Sequence, residues 1–479
     1  MNKFSILLVM LLCSMTAWSQ GKKSVEKTII QSLDQKKENL AEVAHQIWEW
    51  AELGYQEHQS SALLQQTLKE AGFEIEVGVA GIPTAFIATY GSGKPVVGIL
   101  AEYDALPGVS QAAVPERQVR EGHNAGHACG HHLFGAGSSG AAIAVKEWLA
   151  STGHEGTIRL FGCPAEEGGA GKVYLVRDGL FDDVDAVLHW HPGSMNSASA
   201  RSSLANKSAK FRFYGNASHA AASPWNGRSA LDGVEAMNYM VNLLREHSRP
   251  ESRIHYVITR GGEAPNVVPE FAEVYYYVRH PDMAEVRALF ERVVKAAEGA
   301  AMGTGTKMEY EVIHGIFNVL PNKTLGEVMY SKLEQVGGVS YTPEETAFAK
   351  KIMASYRLSA LSPGLANEIA PFEVVEKGSG GSTDVGDISW VVPTAGMSAA
   401  TWVPGTSAHS WQAVAAGGMS IGHKGMLVAA KTIALAAIEI IQNPELATKA
   451  KEELLKRRGN GFSYEALLGD REPPLDYRK

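Results

Sequence analysis

Short apolar runs that end in polar residues alternate with stretches of helical periodicity along most of the chain. Residues 94–100, 157–163 and 185–188 are apolar runs of strand length, and each is followed by acidic residues or histidines. Residues 24–73 repeat their apolar positions at helical spacing, and 135–149 form a predicted helix rich in small residues. Polar side chains at the carboxyl ends of strands commonly form the sites of α/β sheets. The pattern therefore predicts an α/β domain whose functional residues follow its strands.

A different order of elements occupies residues 204–317. The predicted elements are, in chain order, a strand at 210–214, a helix at 229–247, strands at 253–259 and 273–279, a helix at 283–300 and a strand at 307–313. This β-α-β-β-α-β order is that of a ferredoxin-like unit. We therefore expect residues 204–317 to form a domain that is inserted into the larger α/β domain.

The α/β pattern resumes after about residue 320 and ends in a strongly apolar predicted helix at 421–441. Residues 21–203 and 318–479 are thus predicted to be two parts of one domain. The length of 479 residues agrees with a division into domains, because single cores stop growing at roughly 250–300 residues. The charged tail from Asn443 onward is predicted to be peripheral.

The first twenty residues differ from the rest of the chain. Lys3 precedes the apolar run 4–12, and Ala17-Trp18-Ser19 forms a cleavage site of the small-x-small type. This arrangement predicts a signal peptide over residues 1–20 and a secreted or periplasmic protein. Later segments fall short of about 18 uninterrupted apolar residues, so we expect no membrane attachment after cleavage.

Charge and cysteine content narrow the possible functions. The net charge of -8 offers no basic face for nucleic acid, which we therefore do not expect as a partner. Cys129 and Cys163 remain after signal cleavage and could pair in an oxidising compartment. Cys129 lies among histidines, however, which favours a metal-bound thiolate, whereas Cys163 is predicted to be a small buried residue.

The densest group of candidate ligands lies within ten residues. The segment reads His123-Asn-Ala-Gly-His127-Ala-Cys129-Gly-His131-His132. Because it is rich in glycine and lacks helical periodicity, it is predicted to be a loop. Thiolate and imidazole groups favour zinc and similar ions, which indicates a metal site. The alternative is a polar loop whose histidines are incidental.

Further candidate groups follow the later strands. Glu166-Glu167 precedes a glycine-rich turn, where one carboxylate could bind metal while the other takes a proton. An adjacent acidic pair is otherwise most often a solvated surface feature. His189-Trp-His191-Pro and Gly-Thr-Ser-Ala-His409-Ser add imidazoles, and together these groups could bind a pair of metal ions.

The motifs occur in an order that resembles one known family. They are Ala-Glu-Tyr-Asp104-Ala-Leu-Pro, His-Ala-Cys129-Gly-His131, Pro-Ala-Glu166-Glu167, Trp-His191-Pro, Ser-His219-Ala and Gly-Thr-Ser-Ala-His409-Ser. This order resembles the dinuclear-metal aminoacylase and carboxypeptidase G superfamily, of the M20 metallopeptidase type. Segments 382–390 and 421–431 further resemble the aminobenzoyl-glutamate utilisation protein B group. The likeness extends from about residue 40 to 442.

The resemblance implies a fold and a set of roles. It implies an α/β, mixed-sheet catalytic domain of zinc-peptidase type with an inserted ferredoxin-like lid that also forms a homodimer. Two divalent ions, of zinc, manganese or cobalt, would be bound by Cys129, His131, Glu167, His191 and His409. Glu166 would be the general base that activates water and later protonates the leaving amine. Asp104 would orient one of the ligands.

The resemblance also implies roles within the lid. His219 would reach the site of the partner subunit and stabilise the oxyanion. Asn266 and Arg279 would contact substrate, and a guanidinium is suited to gripping a carboxylate. A local structural role remains the alternative for His219, and an ordinary strand-end charge remains the alternative for Arg279.

The expected reaction is hydrolysis of an amide bond in a small N-acyl amino acid, such as p-aminobenzoyl-glutamate. Dipeptides and other N-acyl amino acids are alternative substrates. Cys129 acting as a nucleophile and a non-catalytic periplasmic binding protein are the competing hypotheses. His132 occupies a place where many relatives have an acid, which leaves the metal preference open, and His189 could assist His191.

Overall fold

The computed structural model describes residues 25–356, 361–378 and 380–478. The predicted signal peptide lies outside the described residues. The helices are α1 (described over 25–35), α2 (Lys37–Trp50), α3 (His58–Glu70), α4 (His131–Thr152), α5 (Gly171–Arg177), α6 (Ala230–Arg245), α7 (Met283–Thr304), α8 (Lys323–Val336), α9 (Pro343–Ala354), α10 (Val385–Ser389), α11 (Trp411–Gly417), α12 (Ser420–Gln442) and α13 (Glu445–Arg458). Short 3-10 turns occur at Val79–Gly81, Pro224–Asn226 and Pro363–Asn367.

Fourteen strands are assigned in the described part of the chain. They are β1 (Glu74–Val77), β2 (Phe86–Ser92), β3 (Val96–Glu102), β4 (Leu106–Pro107), β5 (Ala125–Gly126), β6 (Gly156–Cys163), β7 (Ala186–Gly193), β8 (Ala200–Arg201), β9 (Ala205–Tyr214), β10 (Arg253–Arg260), β11 (Phe271–His280), β12 (Lys307–Ile316), β13 (Val374–Val375) and β14 (Thr394–Ala400). The two-residue strands form two small additional sheets, β4 with β5 and β8 with β13.

The larger domain is built on a six-stranded mixed sheet. Its strand order is β1-β2-β6-β3-β7-β14. Strands β6, β3, β7 and β14 are parallel neighbours, whereas β1 and β2 pair antiparallel at one edge. The predicted α/β mixed-sheet fold is therefore confirmed. Because the parallel strands share one carboxyl edge, the polar residues that follow β3, β6 and β7 meet there.

Small residues allow the helices to pack closely against this sheet. A side-chain carbon on Gly137 of α4 would come within 2.9 Å of Met426 and Trp190. A side-chain carbon on Gly140 would come within 2.7 Å of Leu40. Helix α12 is long and apolar enough to cross a membrane, but most of it is buried against α4, α8 and the sheet. Its composition thus reflects a place in the core.

The inserted unit has the predicted ferredoxin-like arrangement. Its four strands lie in the order β10-β11-β9-β12, and all neighbours are antiparallel. Alternate residues such as Phe211, Val274 and Tyr276 pack with α6 and α7 in a second core. Because side chains alternate along a strand, Arg279, Tyr277 and Tyr275 lie on the opposite face of the sheet from Val274 and Tyr276.

Two sequence-based expectations were wrong. His131 and His132 do not lie in the loop but form the first turn of α4, because Gly130 adopts a left-handed conformation (φ 79°) that ends the loop. The tail is not peripheral. After α13, Leu467 joins the core of the inserted unit and Leu468 joins the core of the larger domain. A charge-rich composition concealed these two buried leucines.

Candidate metal centre

Cys129 and His131 are placed on either side of a tight turn. Gly130 lies between them, and a side-chain carbon there would come within 2.6 Å of Pro192. The close approach of β7 at this point brings His191 beside the turn, with its Nε2 3.3 Å from the Cys129 Sγ. The requirement for glycine therefore follows both from the left-handed backbone and from this approach.

Hydrogen bonds fix which nitrogen of two histidines faces the cluster. His131 Nδ1 lies 2.8 Å from the Asp104 Oδ1, and His191 Nδ1 lies 2.7 Å from the carbonyl oxygen of Pro192. A carboxylate and a carbonyl oxygen can only accept, so each Nδ1 carries the proton. The Nε2 of each ring therefore keeps a lone pair that is available to a metal ion.

The candidate ligand atoms form two groups that share the cysteine. One group consists of Cys129, His131 and His191, and the other of Cys129, Glu167 and His409; within each, the ligand atoms lie within 4.8 Å of one another. In the second group, His409 Nε2 is 3.2 Å from the Glu167 Oε1. The backbone of His409 is itself left-handed (φ 59°), and its N–H donates a hydrogen bond to the carbonyl of Ala128.

The donor set fits a pair of divalent metal ions. A thiol, three imidazoles and a carboxylate are the groups that bind zinc and similar ions. The buried atoms His131 Nε2 and Glu167 Oε1 make no well-aligned hydrogen bond among the described residues, although Glu102 and His409 lie 3.1 and 3.2 Å away from them. Leaving such atoms unsatisfied is costly, and a bound cation would satisfy both.

Glu166 lies next to the ligands on the same turn. One of its carboxylate oxygens falls within 4.8 Å of ligand atoms of Glu102 and His131. Burial and the neighbouring carboxylates of Glu102 and Glu167 raise the pKa of Glu166 well above the usual range for a glutamate. A carboxylate that favours protonation beside a metal cluster has the properties of a general base.

A buried charge network behind the cluster escaped the sequence analysis. The Lys172 Nζ lies 2.6 Å from Glu102 and 2.7 Å from Asp384, and these three side chains are almost fully buried. Burial alone would lower the pKa of Lys172, but the carboxylates of Asp384 and Glu102 outweigh it and raise this pKa. The other Glu102 oxygen lies 3.1 Å from the His131 Nε2. A lysine within the apolar residues of α5 was the signal that could have indicated such a network.

The remaining histidines of the motifs do not join the cluster. His127 Nε2 lies 3.0 Å from the carbonyl of Ile47, and His132 Nε2 lies 3.0 Å from that of Gly417. His123 is exposed. His189 packs across Gly396 of the neighbouring strand β14, where any side chain would collide with its ring. Burial lowers the pKa of His189 to about 4, which keeps this imidazole neutral.

The predicted lid residues lie apart from the ligands in a single chain. His219 Nδ1 accepts hydrogen bonds from the backbone N–H groups of Ala221 and Ala222, and its side chain is not in either ligand group. The backbone carbonyl of Asn266 accepts from the N–H of Ala220 beside it. Arg279 lies on the other end of β11, 5.3 Å from the Tyr277 ring, and its Nε is buried without a hydrogen-bond partner in the described structure.

Comparison with known proteins identifies relatives over nearly the whole chain. The model of peptidase family M20/M25/M40 matches residues 98–434. One of the subunits of p-aminobenzoyl-glutamate hydrolase of Escherichia coli strain K12 is 41% identical, over 90% of this chain and 95% of that protein. The Xaa-Arg dipeptidase of Mus musculus is 31% identical, over 90% of this chain and 92% of that protein. A dinuclear metal-binding peptidase of the M20 family from Bacillus subtilis shares the fold, with a TM-score of 0.57 at 19% identity over 85% of this chain and 99% of that one.

Proposed function

Because the chain belongs to peptidase family M20/M25/M40, we propose that it hydrolyses the amide bond of p-aminobenzoyl-glutamate or a close N-acyl amino acid analogue. The chain is a metal-dependent hydrolase of amide bonds. One observation carries the chemical part of the proposal, namely that Cys129 is shared by two groups of metal ligands. Glu166 has a carboxylate oxygen within 4.8 Å of the His131 ligand atom of the first group, and it is adjacent in the chain to Glu167 of the second group.

In the proposed reaction Glu166 carries the proton that moves from the attacking water to the leaving amine. Two divalent ions bound by these ligands would polarise the scissile carbonyl and lower the pKa of the attacking water. Glu166 accepts a proton from that water and then donates it to the amide nitrogen as the C–N bond breaks. Hydrolysis of p-aminobenzoyl-glutamate in this way yields p-aminobenzoate and glutamate. Zinc, manganese and cobalt are the candidate ions; the thiolate and imidazole ligands suit zinc, and the carboxylate also suits manganese.

Arg279 supports a substrate that carries a carboxylate. In the described structure no carboxylate lies within ion-pair distance of its guanidinium, and its Nε is buried and unpaired. The buried His314 lies close enough for Arg279 to contribute, after burial, to lowering the pKa of this imidazole to about 4. His314 is therefore neutral near pH 7 and adds no second positive charge beside Arg279.

The second candidate substrate class is dipeptides. The Xaa-Arg dipeptidase of Mus musculus matches almost as much of the chain as the first relative, although at lower identity. A substrate ending in arginine would bring a second guanidinium toward the lid. Both substrates carry an α-carboxylate that Arg279 could bind, so the higher identity to the p-aminobenzoyl-glutamate hydrolase subunit is what favours the acidic substrate.

The thiol and binding-protein hypotheses receive less support. Burial raises the pKa of the Cys129 thiol well above its usual range, so this sulfur is not a free thiolate in the absence of a metal ion. A protein that only binds a ligand has no use for a base such as Glu166 beside candidate metal ligands. Both features favour metal-dependent hydrolysis.

A homodimer is part of the proposal, because it would bring His219 to a second site. Strand β10 is an edge of the inserted sheet, and Tyr256, Val257 and Ile258 are exposed on it. Tyr239 and Leu243 of the neighbouring helix α6 are exposed as well. Apolar residues along an open sheet edge are suited to pairing with a second copy. His219 would then stabilise the oxyanion in the partner's site.

Export from the cytoplasm remains a proposal that rests on the signal-peptide pattern of residues 1–20. Fractionation of cells that express the full chain would test it. Activity and processed protein in the exported fraction would support the proposal, and unprocessed protein in the cytoplasm would contradict it.

The central experiment measures p-aminobenzoate release by the mature protein with zinc, manganese, cobalt or a chelator. Metal-dependent release, abolished in Glu166→Gln with metal content retained, is the expected result. Glu155→Gln, at an exposed residue, is the matched control. Hydrolysis of arginine dipeptides, measured as free arginine, without any release of p-aminobenzoate would favour the second candidate. Undiminished activity in Glu166→Gln would refute the role of Glu166 as the base.

A further inference from the structure

The tail segment, which we define as residues 459–478, crosses both domains and ends at the metal cluster. It starts after α13 and contains turns but no helix or strand. Leu467 is buried against β12, so closely that a side-chain carbon on Gly315 would come within 2.8 Å of it. Tyr464 donates a hydrogen bond of 2.7 Å to the buried carboxylate of Asp387. These contacts fix the first half of the segment.

Further contacts guide the second half along the catalytic domain. Arg471 donates to the backbone carbonyl of Val312 on β12, and its own carbonyl accepts a 2.6 Å hydrogen bond from Arg177 of α5. The carbonyl of Leu475 accepts a 2.7 Å hydrogen bond from the Gln56 side chain. The segment is therefore tied to the lid strand β12 and to two places in the catalytic domain.

The segment ends on one peptide group of the cluster. The Tyr477 hydroxyl and the Arg478 guanidinium donate to the same acceptor, the backbone carbonyl of Glu167, at 3.0 and 2.9 Å. The backbone N–H of Glu167 donates 2.8 Å to the Asp104 Oδ2. Residue 167 is thus hydrogen-bonded on both of its backbone polar groups. Its carboxylate lies next to His409.

The turn that carries Glu166 and Glu167 needs such external support. Ala165 and Ala170, which flank the acidic pair, have left-handed backbone angles (φ 58° and 57°) that alanine disfavours. Residues in such conformations persist only where their surroundings over-determine them. The Tyr55 hydroxyl donates 2.8 Å to the carbonyl of Gly169, and the Tyr477 ring packs edge-on against Tyr55 at 5.6 Å.

We propose that Tyr477 and Arg478 are positioning residues, which hold the peptide of Glu167 so that its carboxylate and the adjacent Glu166 face the cluster. The proposal deepens the proposed function and rests on it for the roles of the two glutamates. Partners that orient metal ligands commonly change metal affinity or activity by about 10–100-fold when they are removed. Because the same segment is tied to β12, it also joins the lid to the metal-binding turn.

The test compares four variants of the full mature chain by zinc titration against a chromogenic chelator. Tyr477→Phe removes one donor and keeps the ring, and Arg478→Met removes the other. Arg478→Lys restores one donor and should recover part of the affinity. Asp476→Asn is the control on the same segment, because Asp476 is exposed. We expect Tyr477→Phe and Arg478→Met to weaken binding of one of the two ions by about 10–100-fold.

Turnover provides the second measurement. At limiting zinc, kcat for p-aminobenzoyl-glutamate should fall in the two weakened variants and recover at excess zinc, with KM unchanged. Zinc affinities equal to the parent's, or an equal loss in Asp476→Asn, would overturn the proposal. A lower Tm of the metal-free protein with unchanged zinc affinity would also overturn it, since that result indicates a structural role alone.

The two proposals can fail separately. Zinc titration needs no substrate, so weakened binding without any turnover of p-aminobenzoyl-glutamate by the parent would contradict the substrate and sustain the positioning role. Metal-dependent turnover of p-aminobenzoyl-glutamate by the parent, with unaltered zinc affinity in Tyr477→Phe and Arg478→Met, would sustain the substrate and contradict the positioning role.

Discussion

Asp104 connects both groups of candidate metal ligands through its two oxygens. Its Oδ1 lies 2.8 Å from the His131 Nδ1, and its Oδ2 accepts a 2.8 Å hydrogen bond from the backbone N–H of Glu167. A single carboxylate at the end of β3 thus orients an imidazole of the first group and the peptide that carries a ligand of the second. Asp104 is fully buried, so both hydrogen bonds are shielded from water.

Replacing Asp104 by alanine should weaken the binding of both metal ions. His131 would lose the acceptor that fixes its tautomer, and Glu167 would lose a backbone partner. We expect affinity to fall by about 10–100-fold, measured by competition with a chelator. Asp178→Ala is a matched control at an exposed aspartate. A variant that binds both ions as tightly as the parent would show that Asp104 does not orient the ligands.

The two cysteines of the described residues should respond differently to replacement. Cys129→Ala removes the ligand that both groups share, and we expect the purified protein to lose both ions and its amide hydrolysis. Cys163 is buried outside both groups, and its thiol donates a hydrogen bond to the carbonyl of Phe161. The Cys163→Ala protein should therefore keep its metal content. Elemental analysis of both variants makes the comparison. Full metal content in Cys129→Ala would refute the shared ligand.

Mixing two inactive variants should restore activity if His219 serves the partner's site. His219→Ala keeps Glu166 but lacks the histidine of the lid. Glu166→Gln keeps that histidine but lacks the base of the catalytic domain. Dissociation and reassociation of the mixed variants would form heterodimers in which one site has both residues. Recovery of p-aminobenzoate release is the expected outcome. Each variant taken alone through the same dissociation and reassociation is the control. A mixed sample as inactive as these controls would argue that His219 does not act in the partner's site.

Asp387 should make folding stability depend on pH. Its buried carboxyl accepts hydrogen bonds from the Phe317 N–H and the Tyr464 hydroxyl, yet burial raises its pKa from 3.8 to about 7. The folded state therefore binds the proton more tightly than the unfolded state does. Protonation of Asp387 therefore stabilises the folded state fully below about pH 4, and this stabilisation is lost as the pH rises through 7.

The variant Asp387→Asn should remove this dependence. Relative to the parent, the free energy of unfolding of metal-free Asp387→Asn should become larger as the pH rises from 5 to 8. The gain is on the order of 1.4 kcal/mol for each unit of the pKa difference that is traversed. Urea unfolding at both pH values gives the measurement, with Asp178→Asn as the surface control. An energy difference that does not change with pH would contradict the prediction.

The periodic elements of the chain could be predicted because they depend on local pattern. The apolar run at 157–163 belongs to β6, which begins one residue earlier, and the alternation within 273–279 belongs to β11, which is longer at both ends. The ferredoxin-like order of the inserted unit follows from the same local signals. Element ends were less predictable. The loop around Cys129 gives way to α4 at His131 because of the conformation of Gly130, which no periodicity records.

Local motifs in the sequence were enough to identify the types of candidate ligand and the order in which they follow the strands. Tertiary structure decided which histidines meet. His131 and His132 are adjacent, but successive helical residues point about 100° apart, so the first faces the cluster and the second faces Gly417. His189 and His191 share a face of β7, yet only His191 lies level with Cys129.

Tertiary structure alone also revealed the partners that act from a distance in the chain. Lys172 meets Asp384 across more than 200 residues, and Arg478 meets Glu167 across more than 300. A local pattern cannot encode such contacts, because they depend on where two distant segments are brought by the packing of the sheets and helices between them. The sequence determined the chemistry of the site, and the packing decided its geometry.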